Sequence, residues 1–160
     1  MSFILAGERD DDVVAAFQNY RQYIEGLKDW FPRGAYELAV SDWYFDFTDH
    51  KCPHDAWLEE LSIIENSKGE RNEIRTSSIR IRLLGAYHDG FIEFHYSKVF
   101  QCDLRGHRID RGHRDWRYDE FRLSESGHLL HEIEWDGFGE TGRWLIEADD
   151  VEYRWLTGPV

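Results

Sequence analysis

The hydrophobic pattern of this chain changes its period once, at Gly34, and that change constrains the fold more than any other feature. Before Gly34 the apolar residues are spaced by alternating steps of four and three, which places them on one face of a helix. They are Val13, Phe17, Tyr20, Ile24, Leu27 and Phe31. The aspartates that precede this run suit a helix N-terminus, and Pro32 with Gly34 suits its end. The sequence therefore predicts one amphipathic helix over residues 12–31.

After Gly34 apolar and polar residues alternate, which is the period of a half-buried β-strand. The predicted strands are Tyr36–Phe47, Trp57–Glu65, Ile74–Tyr87, Phe91–Cys102, Trp116–Leu123, Leu129–Trp135 and Arg143–Ala148, with a short final one at Val151–Trp155. Turn signals with glycine separate several of them, so consecutive strands are expected to pair antiparallel. We therefore expect a single α+β domain over residues 1–160 that is mainly antiparallel β. Its N-terminal helix packs on a curved meander of about seven strands, residues 36–155, whose curvature allows a barrel-like closure.

The Asp89-Gly90 dipeptide predicts a two-residue turn, and this turn sets a register for the strands on either side. The predicted opposite pairs are Tyr87 with Ile92, Gly85 with Phe94, Leu83 with Tyr96 and Ile79 with Phe100. One face of this hairpin is then almost wholly apolar, and the other is mostly polar, as a sheet with one solvated face requires.

The polar face of the hairpin carries Arg80, Arg82, Glu93 and His95. Two interpretations of these side chains stay open: a site for a small anionic molecule, and a solvated network of salt bridges. A curved sheet capped by a helix often encloses a cavity. The first interpretation therefore belongs to an alternative function, in which the protein binds or transforms a small ligand between helix and sheet.

The chain is both acidic and aromatic, with 32 Asp+Glu against 19 Lys+Arg, a net charge of −13, and 7 Trp, 8 Tyr and 10 Phe among 160 residues. Such a negative charge repels phosphates and disfavours binding of nucleic acid. Residues 1–7 contain a short apolar run without a basic segment, so we expect neither a signal peptide nor a membrane span. Cys52 and Cys102 are then expected to be reduced thiols in the cytoplasm.

The sequence contains no GxSxG, HExxH or P-loop motif, and its glycine-rich segment 136–142 is interpreted as a turn between two predicted strands, so neither nucleophilic catalysis nor nucleotide binding is indicated. His50, Cys52 and His54 offer zinc-type donors. Their spacing is not a known zinc pattern and no fourth ligand is evident, so a polar loop is the favoured interpretation. We expect no catalytic residue, no cofactor and no metal site, and we favour a protein that is not an enzyme.

Acidic residues and tryptophans come together in the last predicted strands. Glu132 and Glu134 alternate along one strand and face the same way, and Glu147 from the next strand can join them. Trp135 and Trp144 lie nearby in the sequence. Because aromatic anchors within a charged surface are typical of protein interfaces, the sequence predicts that these five residues bind a basic partner protein. A homodimer formed through an exposed sheet edge is a third interpretation.

In size and acidity the chain resembles small, Trp-rich bacterial proteins of uncharacterised families and, more loosely, the immunity proteins that neutralise polymorphic toxins. Two segments carry this resemblance, His54-Asp55-Ala56-Trp57 and Glu132-Ile133-Glu134-Trp135. The resemblance implies a cytoplasmic binding protein and assigns no role to any residue.

Overall fold

A computed structural model describes residues 1–106 and 108–158 and confirms the predicted α+β class with a mainly antiparallel sheet. Two helices come first, α1 (Val13–Gly26) and α2 (Arg33–Ala39). Seven strands follow: β1 (Trp57–Lys68), β2 (Ile74–Leu84), β3 (Gly90–Arg105), β4 (Asp115–Leu123), β5 (Leu129–Gly137), β6 (Glu140–Ala148) and β7 (Glu152–Thr157).

Six of the strands form a closed ring of antiparallel pairings in the order β1-β2-β3-β6-β5-β4. Two meanders, β1–β2–β3 and β4–β5–β6, are joined by the pairing of β3 with β6. The link between β4 and β1 is short, because these strands are paired at a single position, Trp57 with Asp115. Strand β7 continues the line of β6 along the same edge of β3, where Glu152 pairs with His95.

Helix α1 begins where the sequence predicts and ends five residues earlier. The carboxylate of Asp12 accepts a hydrogen bond of 3.0 Å from the Ala15 N–H and caps the first turn. At the other end the Leu27 N–H bonds to the Ile24 carbonyl at 3.2 Å, three residues back, and the chain then turns up to Trp30. The prediction that the helix extends to Phe31 is therefore wrong, although Phe31 is buried with the rest of the apolar face.

The predicted strand Tyr36–Phe47 is wrong, because the chain there forms α2 and a series of turns. The cause is a contact with the far end of the chain. Both oxygens of Asp150 accept hydrogen bonds from the first turn of α2, at 2.9 Å from the Gly34 N–H and 3.0 Å from the Ala35 N–H. A carboxylate at a helix N-terminus satisfies backbone donors that have no partner within the helix.

The hairpin of β2 and β3 has the predicted faces but a different register. Leu83 pairs with Ile92 and Ile79 pairs with Tyr96, so the partners are displaced by four residues from those expected. The turn is longer than two residues, since the chain reverses between Gly85 and Gly90, whose N–H and C=O atoms lie 2.9 Å apart. An even displacement keeps each side chain on its face. The predicted apolar face is therefore buried at its centre, whereas Tyr87 and Phe100 at its ends are 48% and 43% exposed.

Large apolar side chains fill the inside of the ring. Five strands contribute the fully buried residues Ile81, Phe94, Trp116, Ile133 and Ile146. Helix α1 lies along the edge of β4 that faces away from β5. There the Tyr20 hydroxyl accepts from the Phe121 N–H at 2.7 Å and donates to the Phe121 carbonyl at 3.1 Å, and Tyr23 accepts from the Leu123 N–H at 2.9 Å. Tyrosine hydroxyls thus satisfy backbone groups that a neighbouring strand would otherwise pair.

Candidate functional site

The residues predicted to bind a partner lie on the two central strands β5 and β6, and the structure buries most of them. Trp135 and Trp144 point into the ring and are 0% and 4% exposed. Glu134 points to the opposite face and is 1% exposed, because residues 1–9 lie over it. The expectation of an exposed surface is therefore wrong for these three residues. Strand β5 lies between β4 and β6, and both of its faces are covered.

Glu132 and Glu147 are partly exposed, and each has a partner within the chain. Glu132 accepts from Arg122 at 2.5 Å and from Arg143 at 3.0 Å. Glu147 lies 2.9 Å from the Nδ1 atom of His128.

The N-terminal strap, residues 1–9, explains why acidic side chains occur on this covered face. Glu120 accepts from the Phe3 and Ile4 N–H groups, both at 2.9 Å, and Glu134 accepts from the Ala6 N–H at 2.6 Å. Arg9 completes the attachment with two hydrogen bonds to Glu134, at 2.8 and 3.2 Å. Burial raises the pKa of Glu120, and the two backbone N–H donors oppose that shift. The carboxylates thus hold the strap on the sheet.

The alternative ligand-binding residues lie on the outer face of β2 and β3. Arg82 lies 3.0 Å from Glu93 and 3.5 Å from Glu59, and its guanidinium stacks 4.3 Å above the Phe91 ring. His95 lies 3.9 Å from Glu152, and Arg80 is exposed. Arg82, Glu93 and His95 thus take part in partly exposed ion pairs, and the groove described below is lined by other residues.

The three zinc-type donors of the loop before β1 point to different neighbours. Cys52 is buried and donates to the Tyr44 carbonyl, and burial raises its pKa to about 12. His50 lies against Asp89, and the ring of His54 stacks on Phe47 with 3.7 Å between centroids. Within residues 1–106 and 108–158, no three His, Cys, Asp or Glu side chains are arranged to hold a metal ion.

A buried polar cluster lies at the centre of the ring. Asp119 accepts from the Tyr44 hydroxyl at 2.6 Å and from the Trp116 indole at 3.1 Å, and it lies 2.7 Å from Nε2 of His131. The Tyr96 hydroxyl lies 2.6 Å from Nδ1 of the same ring. This pattern assigns the proton to Nε2, since each group then has a partner of the opposite type. All five residues are at most 3% exposed, so the cluster orders the core and does not face solvent.

Three large aromatic side chains lie together at the surface, where the loop before β1 meets the β2–β3 turn. Phe47, Trp57 and Tyr87 are 40%, 50% and 48% exposed. The Tyr87 hydroxyl donates to the Phe47 carbonyl at 3.3 Å, His50 stacks on Tyr87 at 4.0 Å between ring centroids, and His88 contacts Trp57 at 4.5 Å. We call these five residues the aromatic surface.

Carboxylates surround the aromatic surface. Asp55 and Asp89 are about half exposed; Asp89 lies 2.5 Å from His50 and Asp55 accepts from Arg117 at 2.6 Å. Asp115, paired with Trp57 across the β1–β4 link, adds a third carboxylate. Partial burial, and then the charge of Asp55, raise the pKa of Asp115. Three carboxylates against a single guanidinium give this region a negative potential.

The backbone positions two of these residues in the left-handed region, Asp55 at φ 64° and His88 at φ 59°. Asp and His are among the few residues other than glycine that adopt it. Each is held by a short backbone hydrogen bond, from the Asp55 N–H to the Trp116 carbonyl at 2.7 Å and from the His88 N–H to the Gly85 carbonyl at 2.8 Å. The aromatic surface therefore rests on a constrained backbone.

A groove of about 510 Å³ lies between α1 and residues 39–46. The last of these residues directly precedes Phe47 of the aromatic surface. Phe17, Ile24 and Phe45 form its apolar part, and Glu25, Asp42 and Asp46 are its acidic residues. Hydrogen bonds from Thr48 lower the pKa of Asp46. Phe45 and Asp46 directly precede Phe47, which connects the groove to the aromatic surface.

The aromatic surface was not among the predicted sites. Trp57 and Asp55 occur in one of the segments that carry the resemblance, and His88 adjoins the predicted turn, so a signal was present. The spacing of apolar residues does not distinguish an aromatic residue that is exposed at the end of a strand from one that is buried.

The sequence matches no protein-family model, and searches of curated proteins and of solved structures give no match. Within the residues that the structure describes, neither helix is long and apolar enough to cross a bilayer.

Proposed function

We propose that this protein is a non-enzymatic binding protein that engages a basic partner protein through the aromatic surface. One observation carries the proposal: Phe47, Trp57 and Tyr87 are each 40–50% exposed, are linked through contacts of Tyr87 and His88, and lie near the half-exposed carboxylates of Asp55 and Asp89. This relocates the predicted acidic, Trp-bearing surface from β5 and β6 to the loop before β1 and the β2–β3 turn.

The chemistry of the surface suits lysine and arginine side chains. Tryptophan and tyrosine bury a large area at a small cost in conformational entropy, and they are the residue types most enriched among interface hot spots. A cation placed over such a ring is attracted to its face, and a nearby carboxylate adds a charge-assisted hydrogen bond. Asp55 precedes Trp57 by two residues, and Asp89 pairs with His50, whose ring stacks on Tyr87.

The charge of the whole chain supports a basic partner. A net charge of −13 attracts a positively charged protein at long range and accelerates its encounter. Neutralisation of a basic toxin, which the resemblance to immunity proteins implies, is the specific form of this proposal. If this form is right, we expect an open reading frame for a toxin-like protein next to the gene.

The proposal is tested by comparing proteins that immobilised wild type and variants retain from the lysate of the source cells. We expect wild type to retain one or more basic proteins, with retention that falls as NaCl is raised from about 50 to 500 mM. Trp57→Ala combined with Tyr87→Ala removes the aromatic anchors, and Asp55→Asn combined with Asp89→Asn removes the charge. Both double variants should lose the same proteins.

The matched control is Trp30→Ala, since Trp30 is 76% exposed and lies outside the aromatic surface. It should retain what wild type retains. Identical retention by wild type and by both double variants would contradict the proposal, and so would retention that does not respond to salt.

A further inference from the structure

Among residues 1–106 and 108–158, no strand pairs with the outer edge of β1 beyond its first residue. β1 pairs with β2 along its whole length on one side, whereas on the other side it pairs with β4 at Trp57. From residue 58 to residue 68 the backbone N–H and C=O groups of that edge are therefore available to another strand.

This edge exposes apolar side chains that a folded protein normally covers. Ile63 and Ile64 are 56% and 44% exposed, and Ile74, which lies next to Lys68 on β2, is 49% exposed. The end of the β1–β2 hairpin thus presents three isoleucines to solvent beside an unpaired strand edge. Exposed apolar residues on a free edge are typical of surfaces that pair with another chain.

Two charges on the same edge have no ionic partner in the described chain. Glu60 accepts a hydrogen bond from the Ser62 hydroxyl, and no acidic group lies within ion-pair distance of Lys68. Glu60, Ser62, Ile64, Asn66 and Lys68 alternate along β1 and so share its outer face. Ile64 is at the centre of these five residues. The acidic Glu60 and the basic Lys68 are at the two ends, each four positions from Ile64.

We infer that β1 pairs antiparallel with β1 of a second copy of this chain, around a two-fold axis at Ile64. In this register Ile64 lies opposite Ile64 of the partner subunit, Ser62 lies opposite Asn66 of the partner subunit, and Glu60 lies opposite Lys68 of the partner subunit. A two-fold axis repeats each contact, so the dimer gains two identical ion pairs. Residues 60–68 form a paired segment about 30 Å long.

Charge complementarity selects this register and this occupant. Charged side chains on an edge strand usually prevent pairing, because like charges meet in most registers. A two-fold axis at Glu65, for example, would place two Glu65 carboxylates opposite each other. The axis at Ile64 instead brings opposite charges together at both ends and two isoleucines together at the centre. This inference rests on β1 and β2 and is independent of the proposed aromatic surface.

The inference is tested by measuring the mass of the full chain by sedimentation equilibrium at concentrations up to about 200 μM, where a dimer with a Kd of about 10 μM is mostly formed. We expect a reversible monomer–dimer equilibrium. Ile64→Lys places two ammonium groups at the axis and should raise the Kd at least tenfold. Val14→Lys, on α1 at a position that is 66% exposed, should leave the Kd unchanged.

Charge exchange tests the register itself. Glu60→Lys alone and Lys68→Glu alone each place like charges opposite one another, and both should weaken the dimer. The double variant Glu60→Lys with Lys68→Glu restores opposite charges and should recover the wild-type Kd. A chain that stays monomeric throughout the concentration range overturns the inference, and so does a double variant as weak as the single ones.

Discussion

The Nε2 atom of His131 lies 2.7 Å from Oδ2 of Asp119, and both side chains are sealed inside the ring of strands. Asp119 is the common acceptor for β5, through His131, and for the turn region before β1, through Tyr44. The pair therefore connects the sheet to the chain that covers it. A buried polar network in which every group is satisfied favours one arrangement of the core over its alternatives.

Removing the acceptor at this centre should destabilise the whole domain. We expect Asp119→Ala to lower the free energy of unfolding by about 3–5 kcal/mol, since three buried donors lose a charged partner. Urea unfolding followed by tryptophan fluorescence measures this. The control is Asp110→Ala, at an exposed aspartate paired with Arg108, which should change stability by less than about 0.5 kcal/mol. Equal losses in both variants would show that Asp119 does not organise the core.

The N-terminal strap should depend on Arg9. Arg9→Ala leaves the buried carboxylate of Glu134 with the Ala6 N–H donor and with Arg143, whose guanidinium lies 3.8 Å away. We expect a loss of about 2–4 kcal/mol in the free energy of unfolding and faster hydrogen exchange at Ala6. Arg33→Ala removes an exposed pair with Glu37 and should cost less than about 0.5 kcal/mol. A cost for Arg9→Ala no larger than this would contradict the role of the strap.

Glu120 should give stability a specific pH dependence. Burial raises its pKa in the folded state above that of the unfolded chain, so the folded protein binds this proton more tightly. Its contribution is fully present below the pKa of the unfolded chain and is lost as pH rises through the folded pKa. Relative to Glu120→Gln, wild type should therefore become less stable as pH rises above about 4, the ordinary pKa of a glutamate. Urea titrations of both proteins at each pH measure the difference, and a difference of the opposite sign would mean a lowered pKa.

The two cysteines should react very differently. Cys52 is buried and its pKa is raised to about 12, whereas Cys102 is exposed. Since the thiolate is the reactive form, native protein near neutral pH should be labelled once by a thiol reagent, and denatured protein should be labelled twice. Cys102→Ser should abolish labelling of the native protein. Rapid labelling of native Cys102→Ser would show that Cys52 is accessible.

The sequence predicted a helix or strand well where one segment contains both the hydrophobic pattern and the residues that begin and end the element. Helix α1 has its apolar face and its Asp12 cap within one stretch of chain, and β4 begins and ends within one residue of its predicted bounds. The failure at residues 36–47 has a non-local cause, because the carboxylate that caps α2 belongs to Asp150. A sequence window around α2 does not contain that residue.

The predicted exposure of Glu134, Trp135 and Trp144 is wrong for a similar reason. An alternating pattern places Glu132 and Glu134 on one face of a strand, but it does not reveal whether another segment covers that face. The strap that covers it comes from the opposite end of the sequence, and Ala6 lies 128 positions away from the carboxylate that holds it. The exposed aromatic residues of the aromatic surface were missed because their exposure depends on where the strands end.

The sequence alone determined the secondary-structure class and the amphipathic face of α1. It also determined which side chains at the centre of the β2–β3 hairpin point inward. All three follow from the spacing of apolar residues within one segment of the chain. Tertiary structure alone decided the register of that hairpin, the closure of the ring and the surface that remains for a partner. Each of these depends on contacts between residues far apart in the chain, such as Trp57 with Asp115 and Glu134 with Arg9. Burial is a property of the whole packed molecule, and no single segment encodes it.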